Sequence, residues 1–241
     1  MPDDPATEPA RAAGDPDGPP ADGLPPVDHD AGDPAARRQA VVTAGHVGDA
    51  ATARAALSDP DPSVREAAVG AVSRLGAATP TALTTAMADA DATVRRRAVQ
   101  EAGAAVTHHP DDAADTHHAA VGAAVRAALS DDDALVVEMA CWAVGEWRTA
   151  AAVPALSATA LGHGDTRCRE AAVAALGAVG DPAGLEAVLG ALADKPTVRR
   201  RAVVALAAFD GPEVDDALRR SLDDRDWQVR EAAAILLEDS S

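Results

Sequence analysis

The feature that most constrains this chain is a seven-fold repeat that runs from residue 33 to the C-terminus. The repeated segments are 33–48, 61–76, 91–106, 133–148, 165–180, 195–210 and 226–241. We call the fourth residue of each segment its anchor, and successive anchors are 28, 30, 42, 32, 30 and 31 residues apart. A near-constant period of this length is the signature of an array in which each unit packs on its neighbours.

One column of the repeat is invariant, because the residue four places after the anchor is alanine in all seven units. These alanines are Ala40, Ala68, Ala98, Ala140, Ala172, Ala202 and Ala233. Positions 0, 4, 5, 8 and 11 after the anchor are apolar throughout, except for Ser240 in the last unit. This spacing forms one stripe of an amphipathic helix, and the small alanine lets a neighbouring helix approach closely.

The residues around each stripe are typical of helix ends. Six of the seven units have aspartate three places before the anchor, and Lys195 is the exception. Aspartate followed by proline, as in Asp33-Pro34, is an N-cap followed by a favourable first helical residue. Gly48, Gly76 and Gly180 follow their stripes, where a helix C-cap favours glycine.

Shorter helical patterns lie between the stripes, so each unit is predicted to be a pair of helices. These patterns cover 49–57, 79–88, 116–129, 150–161, 182–192 and 212–222. A single pair cannot bury its own stripe, and the pairs must therefore stack. The sequence predicts an all-α protein, an alpha-solenoid of about thirteen helices in about seven repeats. A compact helical bundle is the alternative, but it requires neither a constant period nor an alanine column.

The chain divides into two parts of different composition. Residues 1–34 hold nine of the 17 prolines, nine acidic residues and a single arginine. Such a segment cannot bury enough apolar surface to offset the entropy of ordering, and we predict a disordered acidic tail. The solenoid is predicted over 35–241, with an insertion at 107–118 where the anchor spacing lengthens.

Composition excludes several classes of function. A formal charge of −18 and a pI near 4.6 disfavour binding to nucleic acid, which requires cations that neutralise phosphates. No run of 18 apolar residues and no leader-like N-terminus is present, so we expect a cytoplasmic protein that does not bind membranes, and a monomer. Aspartate outnumbers glutamate and there is one lysine. This composition is similar to that of halophilic proteins, although a high-GC genome would give it too.

The run LSDPDPSVREAAVGAVSRLG at 57–76 resembles a HEAT repeat of the phycobilin-lyase-like kind, and 222–237 matches it nearly as well. The resemblance covers about 35–240 and implies a right-handed superhelix whose second helices line the concave surface. It also implies a ladder of hydrogen bonds between the Asp and Arg of successive units, interrupted by Val137. The arginines of that column are Arg37, Arg65, Arg95, Arg169, Arg199 and Arg230.

The resemblance implies two classes of function. The first is a non-catalytic adaptor, a scaffold that binds another protein on its concave helix face. The second is an enzyme, because phycobilin lyases and deoxyhypusine hydroxylase share this repeat. The hydroxylase family ligates two irons through His-Glu dipeptides, and this sequence contains none. Cys141 and Cys168 occupy stripe positions and are predicted to be buried rather than reactive. We therefore expect no enzyme activity.

The candidate partner-binding residues lie on the helix face opposite the stripe in the third and fourth units. They are Arg96, Arg97, Gln100, Met139, Trp142 and Glu146. An exposed tryptophan flanked by arginine and methionine has the composition of a protein-binding hot spot. The alternative is that Trp142 packs on the next repeat, whereas Trp147 is predicted to belong to the core.

The insertion contains the only candidate metal ligands. They are His108, His109, His117 and His118, with three aspartates between the two pairs. Clustered imidazoles and carboxylates suit zinc or nickel. The alternative is a polar loop whose histidines are solvated. The insertion lacks the His-x₃-His spacing of a rigid metal site, which favours this alternative. We therefore expect no cofactor elsewhere in the chain.

Calorimetric titration with Zn²⁺ or Ni²⁺ separates these two interpretations of the insertion. The matched control is the variant in which all four histidines are alanine. A solvated loop predicts equal heats for both proteins, whereas binding heat found only in the wild-type chain would establish a metal site.

Overall fold

The computed structural model describes residues 32–106 and 116–239, and this part of the chain contains thirteen α-helices and no strand. The helices are α1 (Pro34–Val47), α2 (Ala50–Ala55), α3 (Pro62–Arg74), α4 (Pro80–Met87), α5 (Ala92–Val106), α6 (Thr116–Ala127), α7 (Ala134–Trp147), α8 (Val153–Gly162), α9 (Thr166–Val179), α10 (Leu185–Ala191), α11 (Pro196–Ala205), α12 (Pro212–Ser221) and α13 (Trp227–Asp239). The predicted all-α composition and helix count are confirmed. None of the described helices is long and apolar enough to cross a membrane.

The helices form two layers. Odd-numbered helices contact one another in chain order from α1 to α13, and even-numbered helices pack outside them, as in the pairs α4–α6 and α8–α10. Contacts between successive odd-numbered helices are the more extensive. A stack curves toward the layer whose members approach most closely, so we call the odd-numbered helices the inner layer. The arrangement is the predicted alpha-solenoid.

The predicted helix ends are present. Aspartate side chains cap the inner helices by accepting backbone N–H groups, as Asp61 does from Ser63 and Asp133 from Leu135. Gly48 and Gly180 end α1 and α9 in the left-handed region, with φ of 89° and 66°. Arg148 occupies the corresponding place after α7, with a φ of 50°.

Two predicted segments fall largely outside the described residues. The structure describes nothing before residue 32 and nothing between 106 and 116, so the disordered tail and most of the insertion remain predictions. Helix α1 begins at Pro34 and is capped by Asp33, which places the start of the solenoid slightly before the predicted boundary at residue 35.

The alanine column lies between successive inner helices. Ala68, Ala98, Ala140, Ala172, Ala202 and Ala233 are each 0% exposed. Ala40 is exposed, and here the expectation of a buried column fails, because α1 is the first inner helix of the described stack and has no described helix before it.

Glycines form a second line of close contact that the sequence analysis did not single out. They lie nine residues after the anchor. A methyl group on Gly103 would be 2.9 Å from Ala143 Cβ, and one on Gly177 would be 2.8 Å from Ala205 Cβ. Gly45 and Gly145 also face the next inner helix, with Cβ positions 3.0 Å from Ala71 and 3.3 Å from Ala175. Because real Cβ atoms do not approach this closely, these glycines set the spacing of the inner layer.

The implied Asp–Arg ladder is present along the edge where the inner helices begin. Arg65 donates from Nε and Nη2 to both carboxylate oxygens of Asp89 in the next unit, at 2.7 Å each. Its Nη1 donates to the Asp59 carbonyl of its own unit at 2.9 Å. The remaining bidentate rungs are Arg37–Asp59, Arg95–Asp131, Arg169–Asp194 and Arg199–Asp224.

The guanidinium groups hold the pKa of these ladder aspartates below its ordinary value, chiefly through the bidentate hydrogen bonds. Charge-assisted pairs of this geometry are stronger than neutral hydrogen bonds. Each rung therefore ties one unit to the next at the loop that precedes the inner helix.

The ladder is interrupted on both sides at the same place. Val137 replaces the arginine and is fully buried, and His163 occupies the place of the aspartate in the following unit. His163 Nδ1 still accepts the backbone N–H of Asp165 at 3.1 Å, as Asp59 does from Asp61. The loop keeps its internal hydrogen bond, and no carboxylate is left without its arginine.

Replacing Gly177 by alanine tests whether glycine sets the spacing of the inner layer. The new methyl group would meet the backbone of Ala205 at 2.9 Å, and such overpacking costs about 1–3 kcal/mol. We expect the free energy of unfolding in urea to fall by that amount. Gly162→Ala is the matched control, because nothing lies within 4 Å of its Cβ position. Helix propensity alone predicts that both variants gain stability, so a stabilised Gly177→Ala would contradict the packing argument.

A double-mutant cycle tests the ladder at its interruption. Val137→Arg alone places an unpaired guanidinium among buried groups, and His163→Asp alone adds a carboxylate without its arginine, so each should destabilise. Together they should form the missing rung, with a coupling energy of about 1–3 kcal/mol from chemical denaturation. A coupling near zero would mean that this pair of units is not aligned like the others.

Candidate protein-binding face

The six residues predicted to bind a partner lie on inner helices α5 and α7. Four of them, Arg96, Gln100, Trp142 and Glu146, are exposed. Met139 and Arg97 are half-buried. The inner layer therefore presents most of the predicted surface to solvent, and two of its members have packing roles as well.

Trp142 is both packed and accessible. Its indole lies over Gly103 of the preceding unit, where Cζ3 is 2.7 Å from the position a glycine methyl group would take. The ring nevertheless stays 42% exposed. The sequence alternatives were a free ring or one packed on the next repeat, and the structure instead packs it on the previous repeat. Trp147 is half-buried against the core and donates from Nε1 to the Gly103 carbonyl at 3.3 Å.

Arg97 is engaged within the solenoid. Its Nε lies 2.8 Å from Glu101 Oε1 and its Nη1 3.9 Å from Glu66 Oε1. The guanidinium lies over Gly70 of the preceding inner helix. Burial raises the pKa of Glu101, and the charge of Arg97 opposes that rise. Of the two neighbouring arginines, Arg96 is therefore the one available to a partner.

The inner layer carries a row of apolar residues, of which only Trp142 was predicted from the sequence to bind a partner. The residue six places after the anchor is Trp142 in α7, Ala174 in α9, Val204 in α11 and Ile235 in α13. We call these four residues the inner apolar row. Val204 is 44% exposed and Ile235 is 54% exposed, whereas Ala174 is half-buried. The repeat alignment already contained the signal, because this column is apolar in four consecutive units although it lies outside the buried stripe.

The first three units present a different surface. Their inner helices carry Arg38, Arg74, Arg96 and Arg97 against Glu66 and Glu101, apart from the ladder arginines at the edge. We call these six residues the basic face. The inner layer thus has a basic N-terminal half and a C-terminal half in which the inner apolar row lies among charged residues of both signs.

The family model of HEAT repeats matches residues 28–104, 122–197 and 160–238. The chain belongs to the HEAT-repeat family. The resemblance to HEAT repeats found in the sequence is confirmed.

Solved structures with TM-scores above 0.5 show the same fold at low sequence identity. An engineered protein from a structural genomics consortium is 20% identical with a TM-score of 0.61, and the match covers 85% of this chain and 62% of that one. A designed armadillo repeat protein in complex with the peptide (KR)4 is 17% identical with a TM-score of 0.54, covering 85% and 98%. Human deoxyhypusine hydroxylase is 21% identical with a TM-score of 0.44, covering 87% and 80%. No curated protein matches the chain.

The ladder arginines of these HEAT units are structural, as the resemblance implied. Each of the five bidentate rungs is occupied by an aspartate of the next unit, and Arg199 is almost fully buried. Arg230, in the last unit, donates to the Asp224 carbonyl at 2.7 Å.

The cysteines of the fourth and fifth HEAT units are buried, as their stripe positions predicted. Cys141 and Cys168 are free thiols at 0% exposure. Burial raises the pKa of Cys141 to about 12 and that of Cys168 to about 11. A buried thiol with a raised pKa is a poor nucleophile at neutral pH.

The candidate metal ligands fall mostly outside the described structure. His108 and His109 lie outside the described residues, and only the backbone of His117 and His118, in the first turn of α6, is described. Among the described residues no group of three His, Cys, Asp or Glu side chains could hold a metal ion. The metal site remains a prediction, tested by the titration given above.

The cavities between outer helices are grooves beside the ladder. One of about 500 Å³ lies between α4 and α6 and is lined by Met87, Asp89, Arg95 and Asp131 among others. Another of about 500 Å³ lies between α10 and α12, next to Asp224. The first groove contains the paired ladder residues Arg95 and Asp131, whereas the second is lined by Glu213, Asp216 and Arg220 as well as Asp224.

Proposed function

We propose that this HEAT-repeat protein is a non-catalytic adaptor whose inner layer grips a helix or an extended segment of another protein. The observation that carries the proposal is the inner apolar row. Trp142, Val204 and Ile235 are large apolar side chains exposed on the same face of three inner helices. Exposed apolar residues aligned on one surface are typical of interaction sites.

The row suits an elongated partner. Successive inner helices lie about 8–10 Å apart, as helices with small contact residues do, so the row offers one apolar contact per unit over roughly 30 Å. Tryptophan is enriched among residues whose removal abolishes binding. The Arg201–Glu170 pair, with 3.5 Å between Nη2 and Oε1, flanks the row with opposite charges. Charge alone would therefore select little there, and shape and apolar contact would dominate.

The designed armadillo protein shows that a stacked-helix solenoid of this general form can bind a peptide. That likeness concerns the fold only. The basic sequence of the bound peptide therefore says nothing about which peptide this chain would bind. We propose a protein partner and no nucleic acid or membrane. We also propose that the adaptor acts as a cytoplasmic monomer.

We propose the absence of catalysis on the sequence argument that no His-Glu dipeptide is present. The likeness to deoxyhypusine hydroxylase has a TM-score of 0.44, which is too low to support an activity. Metal analysis and absorption spectroscopy of the purified protein check this point. Stoichiometric iron or a visible absorption band would contradict it and favour the lyase-like or hydroxylase-like alternative.

Truncating the inner apolar row tests the adaptor proposal. We expect the triple variant Trp142→Ala, Val204→Ala, Ile235→Ala to lose partners that the wild-type chain retains in affinity purification at native salt. Loss of hot-spot contacts of about 2 kcal/mol or more corresponds to a thirtyfold or greater loss of affinity. Quantitative mass spectrometry of the retained proteins measures the loss.

Leu161→Ala is the matched control, because Leu161 is 56% exposed on the outer helix α8. It should leave the retained proteins unchanged. Circular dichroism and thermal melting of each variant separate lost binding from lost folding. If the triple variant folds like the wild type and retains the same partners, the inner apolar row is not the binding site.

A further inference from the structure

The basic face is unusual because the chain as a whole carries a charge of −18. Its four arginines and two glutamates leave a formal charge of +2 on the inner surface of α1, α3 and α5. Elsewhere in the described units, much of the acidic charge lies in the loops, as helix caps and ladder rungs. A cationic surface on a strongly acidic protein attracts an acidic segment.

Three of these arginines, Arg38, Arg74 and Arg96, are exposed to solvent. Arg96 is exposed, and no carboxylate of the described residues lies within ion-pair distance. Arg38 is half exposed and lies 3.9 Å from Glu66, which Arg97 shares at the same distance. The Arg74 guanidinium lies over Gly45 of the preceding inner helix, with its Nη1 2.9 Å from where a methyl group would be. The three guanidinium groups thus mark a path from α1 across α3 to α5.

The chain itself contains a segment with the matching charge. Residues 1–31 carry eight acidic side chains and one arginine, which gives a net charge of −7. Most successive acidic residues are six positions apart or fewer. This segment joins the solenoid two residues before Pro34, and Arg38 lies in the second turn of the helix that Pro34 begins. The acidic segment therefore enters the molecule at the edge of the basic face.

We infer that residues 1–31 dock on the basic face as an extended acidic strap. The path from α1 to α5 crosses two interhelical spacings, about 20 Å in all. Thirty-one extended residues reach roughly 100 Å, so the segment is long enough to follow the three arginines. Its attachment also gives it an effective concentration of about millimolar at the face. An acidic segment of another protein would have to displace it.

The docking depends on salt, because it rests on exposed charges. The Debye length is about 10 Å at 0.1 M salt and about 3 Å at 1 M. The strap is held at low salt and released in concentrated salt. The inner apolar row is governed by a different interaction, and the two halves of the inner layer would respond to salt in opposite ways.

Paramagnetic relaxation in the full-length chain tests this inference. A nitroxide is attached to the cysteine of A13C; Cys141 and Cys168 are fully buried and do not compete for the label. At 0.1 M salt we expect selective broadening of the backbone amide signals of Arg96 and Gln100. The amides of Arg54 and Leu161, on outer helices, should keep their intensity. At 1 M salt the selective broadening should disappear.

Charge reversal supplies the control. Arg38→Glu with Arg96→Glu should abolish the broadening on α5, whereas Arg54→Glu with Arg220→Glu, two exposed arginines of outer helices, should preserve it. Both variants change the net charge by the same four units. Broadening confined to the residues next to Pro34, or equal on both layers, or unchanged in the Arg38/Arg96 variant would overturn the inference. None of these outcomes depends on finding the adaptor's partner.

Discussion

The close approach of successive inner helices is the constraint on which the rest of this solenoid depends. Alanine buries little apolar area per residue, and the chain has only 2% aromatic residues, so stability must come from many short-range contacts. Six alanines of the invariant column are completely buried, and in four units a glycine lies where a methyl group would crowd the next inner helix. The curvature, the layer order and the exposed inner surface all follow from this spacing.

Two kinds of interaction join neighbouring units: the Asp–Arg ladder and the packing of the inner helices. Bidentate Arg–Asp pairs fix the edge at which the inner helices begin, while alanine and glycine fix their central turns. Where Val137 and His163 interrupt the ladder, α7 and α9 make the most extensive contact of any two helices described. The fully buried Cys141 and Cys168 belong to that interface. Packing therefore joins these two units at the place where the charge-assisted link is missing.

This division leaves a defined set of positions free for function. Positions 0, 4, 5 and 8 after the anchor belong to the core, and position 1 belongs to the ladder. Residues that select a binding partner can therefore vary only on the remaining inner face. That face is basic across α1, α3 and α5, and from α7 to α13 it carries the inner apolar row among charges of both signs. An elongated ligand that crosses the helices would meet both surfaces in order, which is the geometry a solenoid offers and a closed pocket does not.

The sequence by itself determined the helix pairs, their ends and the buried column, because these depend on periodicity and capping within one unit. It also contained the inner apolar row, although only Trp142 was recognised there. Tertiary structure decided what no single unit specifies. Trp142 lies on Gly103, and Arg97 turns toward Glu66 and Glu101, because the rotation and spacing of neighbouring helices determine which side chains of adjacent units meet.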